Sequence, residues 1–400
     1  MKKVKDQFKK NQKESLSFLC FGGLDWWYQH RSHVDFQITR KFSAKGNALY
    51  VNSIVMQIPN FSEGKKLWNR VVRKSKSIFT GLKKSDVGFW VYSPFSLPVH
   101  HIPFAKEVND LIVAVQIKLV ASTITLKNPI IMVVCPAACD IALKCTGSHL
   151  VYLRTDAYEL FPNVDKEVIT NYDLTLKNKA DLTLFVSDKL YQDEKHQCNK
   201  AIFLDHGVDF EMFDEIDKSM ELIPLDIKEL MDGRPIVGFF GTLDSHTVDV
   251  DMCAQVASKL PEMNFVFVGK VAADYDVLIS KDNIYILGVK SYEQVPYYGH
   301  HFDVAIMPWQ QTDWIEACNP IKLKEYLALG KPIVSTPFQE LKEYSDVVYA
   351  ASGADEFAKQ IKTALAEDSE ALIMKRKNRV RSLSWESRVE MIIENLRFNE

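Results

Sequence analysis

Residues 319–335, NPIKLKEYLALGKPIVS, predict a loop, a helix and a buried strand in direct succession. Asn319 is a favourable N-cap residue, and Pro320 suits the first helical position, where a missing N–H costs nothing. Gly330 falls where a left-handed helix end is expected. The N-terminus of this helix, with Lys322 in its first turn, is a candidate anion-binding site. An ordinary capped surface helix would show the same pattern.

The same alternation of short apolar strands and helical patterns continues on both sides of this stretch. In the first half, strands are predicted at Leu16–Phe21, Ala48–Val51, Gly88–Tyr92, Pro129–Val134, Leu150–Arg154, Leu182–Val186 and Ala201–Leu204. In the second half, they are predicted at Pro235–Phe240, Asn264–Val268, Ile284–Leu287, Val304–Met307, Pro332–Ser335 and Val347–Ala350. Strands that alternate with helices indicate an α/β fold with parallel, doubly wound sheets.

The length of the chain predicts two such sheets. Four hundred residues exceed what one hydrophobic core usually supports, so we expect one Rossmann-like domain in residues 1–212 and a second in residues 213–384. The last helix, residues 385–397, carries a helical apolar stripe and is expected to pack back on the first domain. Ligands of such sheets bind at the carboxyl ends of the strands, which predicts a cleft where the two sets of strand ends face each other.

Composition excludes several classes of protein. A formal net charge of −3 argues against a dedicated nucleic-acid binder. No apolar run reaches the roughly 18 residues that a membrane span needs. The short apolar segment at Leu16–Phe21 is read as a first strand and not as a signal peptide. Seven scattered cysteines predict free thiols in a reducing cytoplasm.

Four potential metal ligands lie close together in the sequence: Cys135, Cys139, Cys145 and His149. Their spacing matches no standard zinc module, so we expect buried free thiols there. Asp249 and Asp251 form an Asp-x-Asp motif, which holds a divalent metal in some sugar-transferring enzymes. Because they begin a predicted helix, capping explains them as well, and we expect neither a metal nor a cofactor.

Several segments of the second half, taken together, resemble one known family. In chain order they are PIVGFFGTLDS at 235–245, NFVFVGK at 264–270, NIYILGVKSYEQVPYY at 283–298, FDVAIMPW at 302–309 and NPIKLKEYLALGKPIVST at 319–336. They resemble the donor-binding domain of GT-B glycosyltransferases, in particular the retaining family 4 (glycosyl transferases group 1). HGVDFEMF at 206–213 resembles the family's domain-crossing segment. GGLDWWYQHRSHVDFQ at 22–37 and VYLRTDAYELFPNVD at 151–165 resemble members from bacterial polysaccharide biosynthesis.

This resemblance implies which residues bind a nucleotide-sugar donor. Lys322 and the helix start would meet the diphosphate, and Glu325 would accept hydrogen bonds from the ribose. The implied donor-binding residues are Gly241, Thr242, Val289, Tyr292, Asn319, Pro320, Lys322 and Glu325. The chain departs from the family at Ala317, where a glutamate is usual, and lacks the basic pair that commonly follows the first strand. Arg154 or Lys270 is therefore expected to help Lys322 with the phosphates.

The first half is expected to bind the acceptor. The implied acceptor-binding residues are Gly22, Gly23, Asp25, Trp26, His30, Arg31, His101 and Arg154. Trp26 would either stack on a sugar or pack in the core. Asp156, after the strand that ends at Arg154, is expected to position substrate, so the implied catalytic residues are Asp156, Lys322 and Glu325.

The resemblance implies a hexosyltransferase that uses a UDP- or GDP-sugar, works with retention and without metal, and extends a glycan or lipid-linked acceptor. Two alternatives share the architecture: a nucleotide-sugar 2-epimerase and a non-catalytic subunit that binds sugar nucleotides. We expect a cytoplasmic protein. Its first thirteen residues hold six lysines, which would permit peripheral contact with the inner face of the cell membrane, or would simply be a solvated terminus.

Overall fold

The computed structural model of the protein describes residues 16–28, 31–54, 65–97, 103–161, 163–216, 223–272 and 275–397. The chain divides into two compact units. The N-terminal unit comprises residues 1–186, 193–204 and 389–400, and the C-terminal unit comprises residues 187–192 and 205–388. Helix 385–397 therefore begins in one unit and ends in the other.

The N-terminal unit is built on an eight-stranded sheet in the order β3-β4-β2-β1-β5-β6-β7-β8. The strands are β1 Leu16–Phe21, β2 Gly46–Val51, β3 Leu82–Lys84, β4 Trp90–Tyr92, β5 Ile130–Val133, β6 His149–Arg154, β7 Leu182–Phe185 and β8 Ala201–Phe203. All neighbours are parallel except β3, which pairs antiparallel with β4. The two central strands, β1 and β5, are buried on both faces over Phe18–Phe21 and Ile130–Val133, as a parallel sheet covered by helices requires.

The helices of this unit connect the strands. They are α1 Val34–Ser43, α2 Lys65–Thr80, α3 Pro103–Thr123, α4 Cys139–Ala142, α5 Lys166–Lys179 and α6 Asp188–Glu194, the last of which crosses into the C-terminal unit. Asp165 caps α5 by accepting a hydrogen bond from the Val168 N–H.

The C-terminal unit is built on an all-parallel six-stranded sheet in the order β11-β10-β9-β12-β13-β14. Its strands are β9 Ile236–Phe240, β10 Asn264–Val268, β11 Ile284–Gly288, β12 Val304–Met307, β13 Ile333–Ser335 and β14 Tyr349–Ala350. Its helices are α7 Phe210–Asp214, α8 Leu225–Lys228, α9 Val250–Lys259, α10 Asp276–Ile279, α11 Val295–His300, α12 Asp313–Glu316, α13 Ile321–Ala328, α14 Gly353–Glu367, α15 Glu370–Val380 and α16 Trp385–Arg397.

The predicted α/β class with two sheets is confirmed, and every strand predicted from the sequence is present with small shifts at its ends. The sequence did not reveal β3, a three-residue edge strand of mostly polar residues. It also gave no warning of α2 or α15, whose exposed residues are rich in charge. No helix among the described residues is long and apolar enough to span a bilayer.

Candidate functional site

Helix α13 lies over the end of strand β9 and presents two charged side chains there. Its apolar residues Leu323 and Leu327 are fully buried, and the Tyr326 hydroxyl accepts a hydrogen bond of 2.9 Å from the Phe240 N–H at the end of β9. The N-cap position is Pro320 and not Asn319 as the sequence suggested. Asn319 does not cap the helix because its side chain bonds to other residues.

The ammonium group of Lys322 lies among aromatic rings. Its Nζ is 4.5 Å from the ring centroid of Phe239 and 5.6 Å from that of Trp309. Within the part of the chain that the structure describes, no carboxylate lies at ion-pair distance from this Nζ. Loss of water lowers the pKa of Lys322 to about 8, while the charges of Glu325, Asp244 and Cys318 raise it. The ammonium is therefore available to an incoming anion.

Glu325 follows Lys322 by one helical turn and is only 4% exposed. Its Oε1 has no hydrogen-bond partner among the described residues. Burial raises the pKa of Glu325 to about 8, although the Lys322 charge and a hydrogen bond with Tyr292 both act to lower it. A buried carboxyl oxygen without a partner costs free energy, which a ligand hydroxyl would recover.

Two glycines shape the backbone beside Lys322. Gly241 has a φ of 140°, and a Cβ on it would lie 2.5 Å from Lys322 Nζ. Gly269 has a φ of 150°, and a Cβ on it would lie 1.9 Å from the Gly241 carbonyl oxygen. Both positions require glycine for conformation and for space. Lys322 thus lies directly against the main chain of the loop that follows β9, and the donor role of Gly241 stays a prediction.

Asn319 belongs to a buried polar cluster on the other side of α13. Its Nδ2 donates to Asp205 at 2.7 Å and to Glu340 at 3.1 Å, and its Oδ1 accepts from Lys324 Nζ at 2.8 Å. Lys324 also forms a 2.8 Å ion pair with Asp205. The Lys324 charge lowers the pKa of Asp205 despite its burial. The Asn319 amide therefore fixes the start of α13 to these residues, and local sequence did not indicate these contacts.

A cavity of about 580 Å³ opens at the same carboxyl edge of the sheet. Its lining is polar around one aromatic side chain, and it includes Asp249, Asp251, Gln255, Trp309, Gln310, Gln311 and Ser352. Asp249 caps α9 by accepting a 2.8 Å hydrogen bond from the Met252 N–H. Trp309 connects the cavity with the Lys322 site, because its ring also faces the ammonium.

The other residues predicted near the donor differ in their exposure. Thr242 and Lys270 are exposed, and Val289 is 69% exposed directly after β11. Tyr292 is buried against the Glu325 carboxyl group. Ala317, which replaces the usual glutamate, is 4% exposed at the end of α12.

In the N-terminal unit, the predicted glycine turn is held by a carboxylate that the sequence did not single out. Asp35 is 2% exposed, and its Oδ2 accepts hydrogen bonds from the Gly23 N–H at 2.9 Å and from the Tyr50 hydroxyl at 2.7 Å. A Cβ on Gly22 would lie 1.8 Å from the Tyr50 hydroxyl oxygen. The turn is therefore tightly packed against β2. Glycine at position 22 is needed for this packing, whatever else the turn contacts.

The first tryptophan after this turn lies in the core. Trp26 is 5% exposed and packs edge-on against Phe36 and Phe89 at 5.0 and 4.7 Å between ring centroids, so the core alternative describes it. Arg31 lies over the Trp26 ring at 5.0 Å and pairs with Asp86 at 2.8 Å. The Asp25 carboxylate accepts hydrogen bonds from its own turn and from β2, through the Trp27 N–H and the Asn52 amide. His30 and His101 lie outside the described residues.

Arg154 has a structural environment that differs from the one the sequence suggested. Its side chain is 1% exposed, and its guanidinium lies within 3.3 Å of carboxylate oxygens of Glu159, Asp173 and Glu194. Lys177 joins the same cluster through Asp173 at 2.5 Å. These contacts occupy Nε and Nη2 of the guanidinium, while Nη1 has no hydrogen-bond partner among the described residues. Asp156, two residues later, is half-buried, and its acceptor-side role stays a prediction.

The cysteines are free thiols, and burial raises the pKa of both Cys135 and Cys139 to about 12. Within the described ranges, no three His, Cys, Asp or Glu side chains come together as a metal site would require.

Comparison with known proteins identifies the C-terminal half. Residues 234–367 match the family model "Glycosyl transferases group 1". A putative teichuronic acid biosynthesis glycosyltransferase, TuaH of Bacillus subtilis strain 168, is 28% identical over 181 residues. This match covers 43% of the present chain and 44% of TuaH, so the chain spans less than half of the relative's length.

Solved structures match over nearly the whole chain. Sucrose-phosphate synthase from Thermosynechococcus elongatus is similar with a TM-score of 0.70 at 12% identity, over 96% of this chain and 98% of that one. The Anabaena HepE complex with UDP-glucose is similar with a TM-score of 0.66 at 13% identity, over 95% and 99% of the two chains. At such low identity these likenesses establish the fold. Residues 234–367 are thus similar to the glycosyl transferases group 1 family, and the chain that carries them has the GT-B fold.

Proposed function

We propose that the protein is a glycosyltransferase that moves a hexose from a UDP- or GDP-sugar to a glycan or lipid-linked saccharide acceptor. The observation that carries this proposal is the Lys322–Glu325 pair at the start of α13. Among the described residues, it combines an ammonium group without a carboxylate at ion-pair distance and a buried carboxyl oxygen without a hydrogen-bond partner. Such groups complement a nucleoside diphosphate, which offers anionic oxygens and ribose hydroxyls at neighbouring positions.

In the proposed reaction, Lys322 and the N-terminus of α13 stabilise the negative charge that builds on the departing diphosphate. Glu325 fixes the ribose through its hydroxyls. The loop at Gly241 lets the main chain approach the phosphates, because it carries no side chain on that face. The structural neighbour HepE is solved with UDP and with UDP-glucose, which supports a uridine nucleotide as the first donor to test.

We further propose that transfer occurs with retention and without metal. Lys322 and the helix terminus supply positive charge where other glycosyltransferases use a divalent cation. Addition of a chelator should therefore leave the rate unchanged, and product analysis by NMR should show that the anomeric configuration of the donor is kept. Loss of activity with chelator, or an inverted product, would contradict this part of the proposal.

Binding of nucleotides tests the site directly. Lys322→Met should weaken UDP or GDP binding roughly tenfold to a hundredfold, the value of a charge-assisted hydrogen bond in a shielded site. The matched control is Lys359→Met, which removes an exposed lysine from α14 of the same unit. Isothermal titration of both variants gives the comparison. Equal affinities for the two variants, or no binding of any nucleotide by the wild type, would contradict the proposal.

One observation favours a second candidate, a non-catalytic subunit that binds sugar nucleotides. Ala317 stands buried where the family usually has a glutamate, so a carboxylate is missing from the site. Incubation with UDP-glucose and saccharide acceptors separates the possibilities. A glycan product supports transfer, an epimerised sugar nucleotide indicates an epimerase, and tight binding without turnover indicates the subunit.

A further inference from the structure

The N-terminal unit carries a strongly basic segment at residues 65–84. Residues 65–84, KKLWNRVVRKSKSIFTGLKK, contain eight lysines and arginines and no aspartate or glutamate. Removing these eight from the 49 basic residues leaves 41 against 52 acidic residues in the rest of the chain. Positive charge is therefore concentrated at α2 and the strand β3 that follows it. Such a concentration attracts a polyanionic surface.

Helix α2 also exposes two large aromatic side chains to solvent. Trp68 is 67% exposed and Phe79 is 90% exposed. They lie eleven residues apart, which is about three helical turns and places them on the same face of α2. Lys76 is exposed between them, and Lys84 is exposed on β3. A helix that shows tryptophan, phenylalanine and lysine together has the composition of an interfacial helix.

The elements that contact α2 add further apolar side chains. Ser77 of α2 forms a hydrogen bond with Ser93, which follows β4. Two residues later, Phe95 is 53% exposed, and its main chain exchanges two hydrogen bonds with the side-chain amide of Gln116 on α3. Helix α3 then exposes a row of aliphatic residues at helical spacing, namely Val108, Leu111, Ile112, Val115 and Leu119, each at least 42% exposed. Ser77 faces away from Trp68 and Phe79 on α2, so the aliphatic row of α3 is a separate exposed apolar patch of the same unit.

We infer that the docking face made of α2 and β3 binds to a membrane surface that carries anionic lipids. Lysines contribute electrostatic attraction to anionic headgroups, and tryptophan with phenylalanine enters the boundary between headgroups and acyl chains. The inference does not depend on the proposed sugar transfer, because it rests on exposed residues outside the Lys322 site.

Sedimentation of the full-length protein with vesicles tests the inference. The probes are vesicles of phosphatidylcholine alone and vesicles of phosphatidylglycerol and phosphatidylcholine in equal parts. The protein should sediment with the anionic vesicles, remain free with the neutral ones, and lose most of its binding when salt shortens the screening length to roughly 3 Å at 1 M. Equal binding to both kinds of vesicle, or none to the anionic kind, overturns the inference.

Matched variants separate charge from apolar insertion. Lys76→Gln with Lys84→Gln should weaken partitioning roughly tenfold or more, while Lys228→Gln with Lys359→Gln, two exposed lysines of the C-terminal unit, should leave it unchanged. Trp68→Ser with Phe79→Ser should also weaken it at least roughly tenfold. All replaced side chains are exposed, so circular dichroism and the melting temperature should remain those of the wild type.

Other occupants of the docking face give distinct results. Binding of an RNA oligonucleotide that depends on Lys76 and Lys84 but not on Trp68 and Phe79, without vesicle binding, would overturn the inference in favour of a nucleic acid. A dimer in light scattering that dissociates in the Trp68→Ser, Phe79→Ser variant, again without vesicle binding, would assign the face to a second copy of the chain and overturn it too.

Discussion

At the scale of single residues, Lys322 is held by aromatic faces where a carboxylate would be usual. A cation over an aromatic ring gains about 0.5–2 kcal/mol, and more as water is excluded, which offsets part of the cost of removing the ammonium from water. A carboxylate at the same distance would neutralise the charge that a diphosphate has to meet. The rings of Phe239 and Trp309 therefore keep the lysine in place and leave its charge uncompensated.

The pH dependence of nucleotide binding should show this arrangement. In the wild type, UDP affinity should fall above about pH 8, where Lys322 loses its proton. Phe239→Leu removes the nearer ring, so its affinity should begin to fall at a lower pH. Phe267→Leu is the matched control, since Phe267 is buried on the adjacent strand β10, 6.0 Å from Phe239. Titrations at several pH values measure the two midpoints, and identical midpoints would show that the ring does not support the charge. The groups that also act on Lys322, namely Glu325, Asp244 and Cys318, are unchanged in both variants.

Glu325 should make the protein less stable as pH rises. Its pKa is about 8 in the folded state against an ordinary value of 4.5, so between these pH values the folded state holds a proton that the unfolded state has lost. The free energy of unfolding therefore falls with rising pH in this window. Glu325→Gln removes this contribution, and its stability relative to the wild type should grow by roughly 1–4 kcal/mol from pH 4.5 to pH 8. Urea denaturation at several pH values measures this stability difference. Glu229→Gln, at an exposed position, is the control whose difference should not change with pH, and the same flat result for Glu325→Gln would contradict the assignment.

At the scale of elements, the ends of β9 and β10 determine how closely α13 approaches the sheet. Each strand is followed by a glycine with positive φ, Gly241 after β9 and Gly269 after β10, and Gly269 lies against the main chain of Gly241. The parallel pairing of the strands brings these two loops together, although Gly241 and Gly269 are far apart in sequence. Without both glycines, the ammonium of Lys322 could not lie next to the main chain.

Alanine substitutions should separate the two roles. Gly269→Ala forces a Cβ to within 1.9 Å of a main-chain oxygen that cannot move aside, so it should destabilise the unit by roughly 3 kcal/mol or more. Gly241→Ala meets only the flexible end of Lys322 and should cost less stability but weaken UDP binding. Gly288→Ala, at a positive φ with no atom nearby, isolates the cost of the conformation. Chemical denaturation and UDP titration give both quantities, and similar stability of the first two variants would contradict this account.

At the scale of the whole molecule, each unit contains a buried charged cluster. In the N-terminal unit, Arg154 and Lys177 meet Asp173 and Glu194, and in the C-terminal unit Lys324 meets Asp205 beside Asn319. Removing one partner of a buried cluster leaves the remaining charges uncompensated. These clusters connect residues that are distant in sequence, so each stabilises the unit in which it lies.

Arg154→Met should destabilise the N-terminal unit by about 3–5 kcal/mol, because the carboxylates around it stay buried without a partner. Arg31→Met, which breaks the exposed pair with Asp86, should cost less than about 1 kcal/mol in the same unit. Denaturant unfolding followed by circular dichroism compares the variants. If Arg154→Met kept the stability of the wild type and lost only acceptor binding, the acceptor role expected from the sequence would be the correct one.

Much of the fold could be predicted from the sequence because strand and helix periodicities are local properties. The apolar strands and the helix with Lys322 and Glu325 follow from patterns of fewer than about twenty residues, while the division into two sheets follows from the length of the chain. The edge strand β3 escaped because it has only three residues, two of them lysines. Helix α2 has apolar residues at helical spacing, but its many lysines and arginines are the more obvious feature. Charge was the more prominent local signal in both elements, and charge by itself does not predict a secondary structure.

The environment of each side chain was decided only by the tertiary structure. Local sequence indicated Lys322 and Glu325 but not the rings of Phe239 and Trp309, nor the carboxylate of Asp35 behind the glycine turn. The sequence by itself determined which elements form and which chemical groups they carry. Which groups meet was set by the order of parallel strands, which brings residues far apart in the chain to one edge of a sheet, where burial and neighbouring charges then fix their pKa values.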